Sequence, residues 1–262
     1  MNIIQAIVLG VVEGVTEFFP ISSTFHLIFS VKILGIMQND FIKLFEVFIQ
    51  SGAILSVALL YLIDVVKSKE LIRKVLISFI PTALAGLILY KFIKNVLFEN
   101  QILMIGIFAV VGVVFLLVEW LIKMEKLPLN KVISSLSYKE ALIIGFVQSI
   151  AIVPGVSRAG AVIISMILLK YKRDQAAYYS FLLSIPTIFA ASFYDLYKMR
   201  HIVANYSNNW ILLAAGFITA FISSYIVVKW LIDYLKKNSL VFFGYYRLAV
   251  AIILGLILFR SP

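Results

Sequence analysis

The sequence predicts an all-α polytopic membrane protein, with six transmembrane helices and two re-entrant helical hairpins in an inverted repeat. Three observations carry that prediction. Of 262 residues, 63% are hydrophobic and only 14% charged, whereas soluble domains are roughly half apolar and a quarter charged. Apolar runs near 44–63, 75–93, 102–122, 176–194, 210–232 and 242–259 approach or reach the roughly 20 residues that cross a bilayer as helix. Four further apolar segments, near 1–17, 23–36, 140–153 and 159–170, are too short, and they fall in pairs broken at Pro20 and Pro154. Lipid offers no partner to an open sheet edge, so helices are the choice here. Half-length helices around a polar break then fit hairpins enclosed by protein.

Charge supplies the orientation. The net charge is +10, but the basic residues are scattered between apolar runs, which points to loops facing an anionic leaflet and not to nucleic acid. With the first hairpin and both termini outside, the inner loops hold Lys67, Lys69, Arg73, Lys74, Lys123, Lys126, Lys131, Lys139, Lys170, Lys172, Arg173, Lys236 and Lys237. The outer loops hold fewer: Lys32, Lys43, Lys91, Lys94, Lys198, Arg200 and Arg260. The bias favours this orientation over its reverse. Residues 1–12 lack a basic n-region, so no cleavable signal peptide is expected. The absence of cysteine excludes disulfides, thiolate metal sites and a cysteine nucleophile.

A repeat supports the architecture. AIVLGVVEGVTEFFPISST (6–24) aligns with ALIIGFVQSIAIVPGVSRA (141–159), pairing Gly10 with Gly145 and Glu13 with Gln148. Pro20 falls one place from Pro154, and Ser23 is set against Ser157. Gln50–Ser51–Gly52 and Ser184–Ile185–Pro186 follow at nearly the same offset. The halves run approximately 1–134 and 135–262 within one membrane domain, with hairpins at about 1–36 and 140–170. Three spans separate the hairpins, so the copies have opposite orientation, as in transporter folds whose sites lie where broken helices meet.

The chemistry concentrates in the two breaks. Glu13 and Glu17 are four apart, so a helix projects both carboxylates from one face. At bilayer depth each ionisable group costs roughly 2.5–3.5 kcal/mol on insertion scales, so the pair demands a cation, an arginine or water. Spacing alone leaves a proton-sharing pair, metal-assisted phosphate chemistry and ion-coupled transport all open. Ser22, Ser23 and Thr24 follow the turn at Pro20, where hydroxyls commonly cap a helix. A hydroxyl beside His26 also fits an activated nucleophile. His201, beside Lys198 and Arg200, needs only solvation. In PGVSRAG (154–160), Gly155 and Gly160 allow close backbone approach. A helix starting near Ser157 would aim N–H groups at an anion, and Arg158 offers a fork matched to phosphate or to the glutamates.

Here a resemblance enters. EGVTEFFPISSTFHL (13–27) resembles the signature of the undecaprenyl-diphosphatase (bacitracin-resistance) family, FEVFIQSGAILSV (45–57) its next motif, and GFVQSIAIVPGVSRAG (145–160) its third. The similarity covers essentially the whole chain. It implies a plasma-membrane phosphatase that converts a C55 isoprenoid diphosphate to the monophosphate, recycling the carrier for cell-wall glycans, with its site on the outer face. By resemblance Glu13 and Glu17 bind a divalent metal ion (magnesium or calcium) or position the nucleophile, and Ser23 and His26 serve attack or proton transfer. Ser157 and Arg158, with Gly155, Gly160 and Ser22, hold the diphosphate, which brings the acidic pair and Arg158 to one site. Glu46 and Gln50 form a supporting shell. Ser23, His26 and a water held by the metal remain candidates for the attacking group. The expected partners are the polyprenyl diphosphate and the bilayer, with a homodimer left open and no nucleic acid.

Three positions depart from the family pattern. Phe25 stands for glycine and is expected to crowd a turn or to stack on the isoprenoid chain. Ala159 and Val162 replace hydroxyl residues, which removes hydrogen bonds of roughly 0.5–1.5 kcal/mol each. Because every ionisable member survives, an active enzyme with shifted substrate preference is expected. A polyprenyl-phosphate carrier or flippase, and a catalytically silent relative, are the alternatives.

Overall fold

The computed structural model describes residues 1–92, 100–201 and 207–260. Of the sequence-based assignments, outer-loop Lys94 and the last residue of the 75–93 run lie outside them. Ten helices dominate the described residues. They are α1 (Ile3–Thr16), α2 (Ser23–Ile33), α3 (Asp40–Lys67), α4 (Lys69–Phe92), α5 (Gln101–Lys123), α6 (Tyr138–Ser149), α7 (Arg158–Leu168), α8 (Arg173–Lys198), α9 (Ser207–Lys237) and α10 (Val241–Arg260). Short 3-10 turns at Ile133–Ser135 and Ile150–Ile152 flank α6. Extended pairing among the described residues is one isolated bridge between Lys131 and Tyr171.

Five helices, α3, α4, α5, α8 and α9, carry stretches long and apolar enough to cross a membrane. The chain is therefore a multi-pass membrane protein. The sixth expected span coincides with α10, whose described apolar stretch, Val241–Ile257, is shorter. The four expected short segments appear as α1, α2, α6 and α7.

Local chemistry explains where the short helices begin. Asn2 and Gln5 exchange hydrogen bonds of 2.9 Å in a capping box before α1. Ser137 and Glu140 form another before α6. Both satisfy backbone N–H groups that a helix start leaves without partners. Helices α2 and α7 each follow a serine in the left-handed region, Ser22 at φ 67° and Ser157 at φ 74°. The caps Asn2 and Ser137, the left-handed Ser22 and Ser157, and the helix starts Ser23 and Arg158 are all 135 residues apart. The same offset relates Gly10 to Gly145 and Glu13 to Gln148, so Ser22 stands against Ser157, and the expected match of Ser23 with Ser157 is one place off.

Two compact units interleave along the sequence. The first comprises residues 1–18, 23–72 and 181–231, hence α1, α2, α3, most of α8 and most of α9. Its core includes Leu9, Leu27, Phe45, Ile49 and Leu213, all buried. Small residues bring its helices together. A Cβ on Gly10 would lie 2.5 Å from the Gly216 carbonyl oxygen, and one on Gly14 would lie 2.4 Å from that of Ala220. Backbone meets backbone there, as expected where lipid removes the hydrophobic drive for helix association. Ser56 and Ser224 add a buried 2.7 Å hydrogen bond between α3 and α9.

The second unit comprises residues 19–22, 73–180 and 232–262. Gly145 of α6 packs on α4, where a Cβ would lie 2.3 Å from the Ser78 carbonyl oxygen. Ser78 Oγ donates to the Ala141 carbonyl at 2.6 Å and is hydrogen-bonded to the Tyr179 hydroxyl at 2.6 Å. Gly112 and Gly244 let α5 and α10 pack closely. Glu119 of α5, buried, takes Arg173 Nε at 2.8 Å, with Arg173 Nη2 on its other oxygen, and accepts the Leu240 N–H at 2.9 Å where α10 begins. An anion at a helix N-terminus is favourable.

A polar clasp closes the loop ends of this unit. Glu140 accepts from Lys131 Nζ at 2.7 Å, from the Ser137 backbone and hydroxyl at 2.9 and 2.8 Å, and from the Tyr171 hydroxyl at 3.0 Å. Burial opposes its ionisation, but these donors outweigh burial and hold its carboxyl down to about 2. Burial, with Glu140 beside it, pushes the Tyr171 phenol up to about 12. A carboxyl depressed on folding stabilises the folded state above its ordinary value of 4.5, and that stability is lost as pH falls from there towards about 2. Glu140→Gln is expected to cost about 1–3 kcal/mol at pH 6. Thermal melts in detergent should show the gap between the wild type and this variant closing as pH falls from 4.5 towards 2. An unchanged gap would rule out ionisation as its source.

Candidate active site

The first hairpin places a carboxylate pair at the end of a helix. Glu13 lies in α1 and is fully buried. Glu17 continues the helical backbone at φ −61°, ψ −42°, and its N–H donates to the Glu13 carbonyl at 2.9 Å. The two acids therefore stand one turn apart along one face, as the spacing predicts. Glu17 is also buried, at 7% exposure.

After Glu17 the chain breaks at Phe18–Ile21, and α2 restarts at Ser23. The restart returns Ser23 to the end of α1. Its Oγ donates to Glu17 Oε2 at 2.5 Å, and both residues are buried. A hydroxyl donating to a buried carboxylate has the arrangement of a nucleophile with its base. It also supplies a hydrogen bond that the carboxylate needs when water is excluded. His26, half-buried, follows one turn into α2 beside Phe25, their rings 5.7 Å apart.

Phe25 departs from expectation. It lies within α2, not in a turn, and is fully buried with its ring 4.7 Å from that of Phe29. It fills protein interior and does not present itself to a lipid chain. Helical backbone there tolerates a large side chain where a tight turn would not. Ala159 and Val162, in α7, are likewise buried.

The second hairpin builds a different set. Gly155, at φ 96°, adopts backbone that L side chains avoid, and a Cβ there would meet the Met104 carbonyl at 2.7 Å. Ser157 caps α7, its Oγ accepting the Gly160 N–H at 3.1 Å. Capping, the commonest use of such a hydroxyl, is thus present. Half-buried Arg158 opens α7, and its Nη1 donates to the Ser180 carbonyl at 2.9 Å. Gln148, standing where the first hairpin has Glu13, donates from Nε2 to Thr82 Oγ1 at 2.8 Å. Glu13, Glu17, Ser23 and His26 belong to the first compact unit. Ser22, Gly155, Ser157, Arg158 and Gly160 belong to the second.

Of the expected shell in α3, Glu46 is buried and accepts from Gln38 Nε2 at 3.3 Å, and Gln50 is half-buried. Among the described residues no group of three or more His, Asp or Glu side chains is arranged to hold a metal. The donor set therefore does not form a closed, all-protein cage. Two carboxylates one turn apart do fit a hard cation of the magnesium type, which takes one or two carboxylates and completes its shell with substrate phosphates and water.

Sequence reasoning missed Arg247. It is fully buried in α10, and Nη1 donates to the Pro20 carbonyl at 2.9 Å, Nε to the Phe108 carbonyl at 3.0 Å, and Nη2 to the Gly155 carbonyl. The signal was available, since Arg247 is the sole charged residue between Val241 and Ile257. An ionisable residue inside an apolar span is a site candidate by default.

The chain matches known proteins over nearly its whole length. The family model described as bacitracin resistance protein BacA matches residues 6–253. An undecaprenyl-diphosphatase of Persephonella marina is 46% identical over 98% of this chain and 98% of its own. Undecaprenyl-diphosphatases of Aquifex aeolicus and Wolinella succinogenes are each 43% identical, over 95% and 97% of this chain and 96% and 97% of theirs. With the model and the relatives both matching nearly end to end, the chain belongs to the bacitracin resistance protein BacA family.

Proposed function

We propose that the protein is a membrane phosphatase that hydrolyses undecaprenyl diphosphate, or a close polyprenyl diphosphate, to the monophosphate and phosphate. That reaction recycles the lipid carrier of cell-envelope glycan synthesis. Membership of the family supports the reading, and one observation supports the chemistry: the buried hydrogen bond from Ser23 Oγ to Glu17 Oε2.

In this mechanism Glu17 accepts the Ser23 proton as Oγ attacks the terminal phosphorus. An Oγ–P bond forms, the anhydride P–O bond breaks, and the polyprenyl monophosphate departs. Water then cleaves the phosphoserine, with His26 in proton transfer. Glu13 and Glu17 would hold the divalent cation, magnesium or calcium. When bound, it would neutralise charge developing on the phosphate oxygens. Ser157, Arg158 and the backbone around Gly155, Gly160 and Ser22 supply phosphate donors, for which a helix N-terminus and a planar guanidinium are suited.

The membrane architecture in this reading has α10 as a sixth span and α1–α2 and α6–α7 as re-entrant hairpins. Lengths support it. At 1.5 Å per residue the 14, 11, 12 and 11 residues of α1, α2, α6 and α7 reach only about 17–21 Å, short of the roughly 30 Å hydrocarbon core. The common spacing of 135 residues supports two repeat copies, which three intervening long helices would invert. The excess of basic residues in the loops assigned inside supports a site opening to the outer face of the plasma membrane.

The alternative is a carrier, which would move polyprenyl phosphate between leaflets without releasing phosphate. Purified protein with C55 diphosphate in detergent should release phosphate, and chelation should suppress it. Glu17→Ala should lower kcat by at least about 100-fold. Lipid movement with no phosphate release would overturn the reading.

The covalent step is tested separately. Rapid quench with substrate labelled in the terminal phosphate should trap label on Ser23, and Ser23→Ala should abolish trapping. Turnover with no trapped label, and with Ser23→Ala within about threefold of wild type, would exclude Ser23 as the attacking group.

A further inference from the structure

We propose that Arg247 is a positioning residue that gauges the two hairpin breaks against each other. The inference deepens the phosphatase reading and rests on it for its catalytic consequence. Both breaks, Phe19–Ser22 and the turn at Pro154–Ser157, lie in the same compact unit as α10. Arg247 is fully buried, and among the described residues its guanidinium is spent on backbone carbonyls and not on a carboxylate. Nη1 takes Pro20 at 2.9 Å; Nη2 takes Gly155 and, at 3.4 Å, Val156; Nε takes Phe108 at 3.0 Å. The Phe108 ring lies 4.2 Å from the guanidinium carbon and the Phe115 ring 5.6 Å away, which offsets part of the desolvation of the charge.

The two main acceptors are not arbitrary. Pro20 and Gly155 are 135 residues apart, the spacing that relates the left-handed serines Ser22 and Ser157. Each acceptor stands two residues before its serine and three before the first residue of the helix that follows, Ser23 in α2 and Arg158 in α7. One planar fork thus grips equivalent carbonyls in both breaks, one on each terminal nitrogen. A guanidinium is rigid and presents its donors at fixed angles, so it sets a distance and an orientation together. A lysine ammonium is a point charge with neither property. Arg247 therefore fixes the backbone of the two turns that lead into α2 and α7, without touching substrate.

Arg247→Lys and Arg247→Ala are the test, read by hydrogen exchange and by kinetics on detergent-solubilised full-length protein. Peptides covering 17–22 and 152–157 should both exchange faster in Arg247→Lys, by about tenfold or more, while peptides of α3 stay as in wild type. The kcat for C55 diphosphate should fall about 10- to 100-fold with KM within about threefold. Millimolar guanidinium, but not ammonium, should restore part of the activity of Arg247→Ala. Loosening of one turn alone or of neither, or a kcat loss no larger than the lost folded fraction, would overturn the proposal. If wild-type protein releases no phosphate, the phosphatase reading fails, and the paired exchange result still decides the role of Arg247.

Discussion

A carboxylate inside a membrane protein is tolerated only where protein supplies the hydrogen bonds that water would give. Glu17 meets that condition through Ser23. The rest of the local architecture follows from bringing that hydroxyl there. The helix must stop after Glu17, turn within five residues and restart, so that Ser23 comes back to where α1 ends. A continuous helix would have carried residue 23 about 9 Å further along its axis. The break at Pro20 is thus the device that makes the pair. Its left-handed Ser22 is part of the same device, since non-glycine residues rarely adopt that backbone unless their surroundings hold them there.

Broken helices bring a second constraint. Each turn leaves carbonyls and N–H groups without intrahelical partners, and lipid satisfies none of them. The protein answers with caps at Asn2, Ser137 and Ser157, and with one guanidinium on the carbonyls of Pro20 and Gly155. Long helices stay in register around these short elements through glycine contacts, Gly10 and Gly14 in one unit and Gly112, Gly145 and Gly244 in the other. Small residues serve this purpose because close backbone approach, not apolar area, holds helices together in lipid.

Much of this was legible in the sequence. Apolar length located the long helices, and Pro20 and Pro154 located the breaks to within a few residues. The four-residue spacing of Glu13 and Glu17 placed both acids on one face. The match of Ser22 with Ser157 was within reach, since it keeps the 135-residue offset of Gly10 with Gly145 and Glu13 with Gln148, and setting Ser23 against Ser157 slipped one place from it. What could not be read follows from physics that letters do not carry. Phe25 looked wrong for a turn only because the turn was drawn too long; α2 begins two residues before it. Arg247 bonds residues 227 and 92 positions away, and such pairings leave no local pattern. The capping box at Ser137–Glu140 was readable but overlooked.

If the Ser23–Glu17 hydrogen bond is the working unit of the site, the two residues must act as one. A double-mutant cycle measures this directly, with Glu17→Gln, Ser23→Ala and the double variant compared in kcat/KM for polyprenyl diphosphate. The account predicts strong non-additivity, with the double variant no worse than the more damaged single one to within about threefold. Losses that multiply would mean the two side chains act independently, and would contradict it.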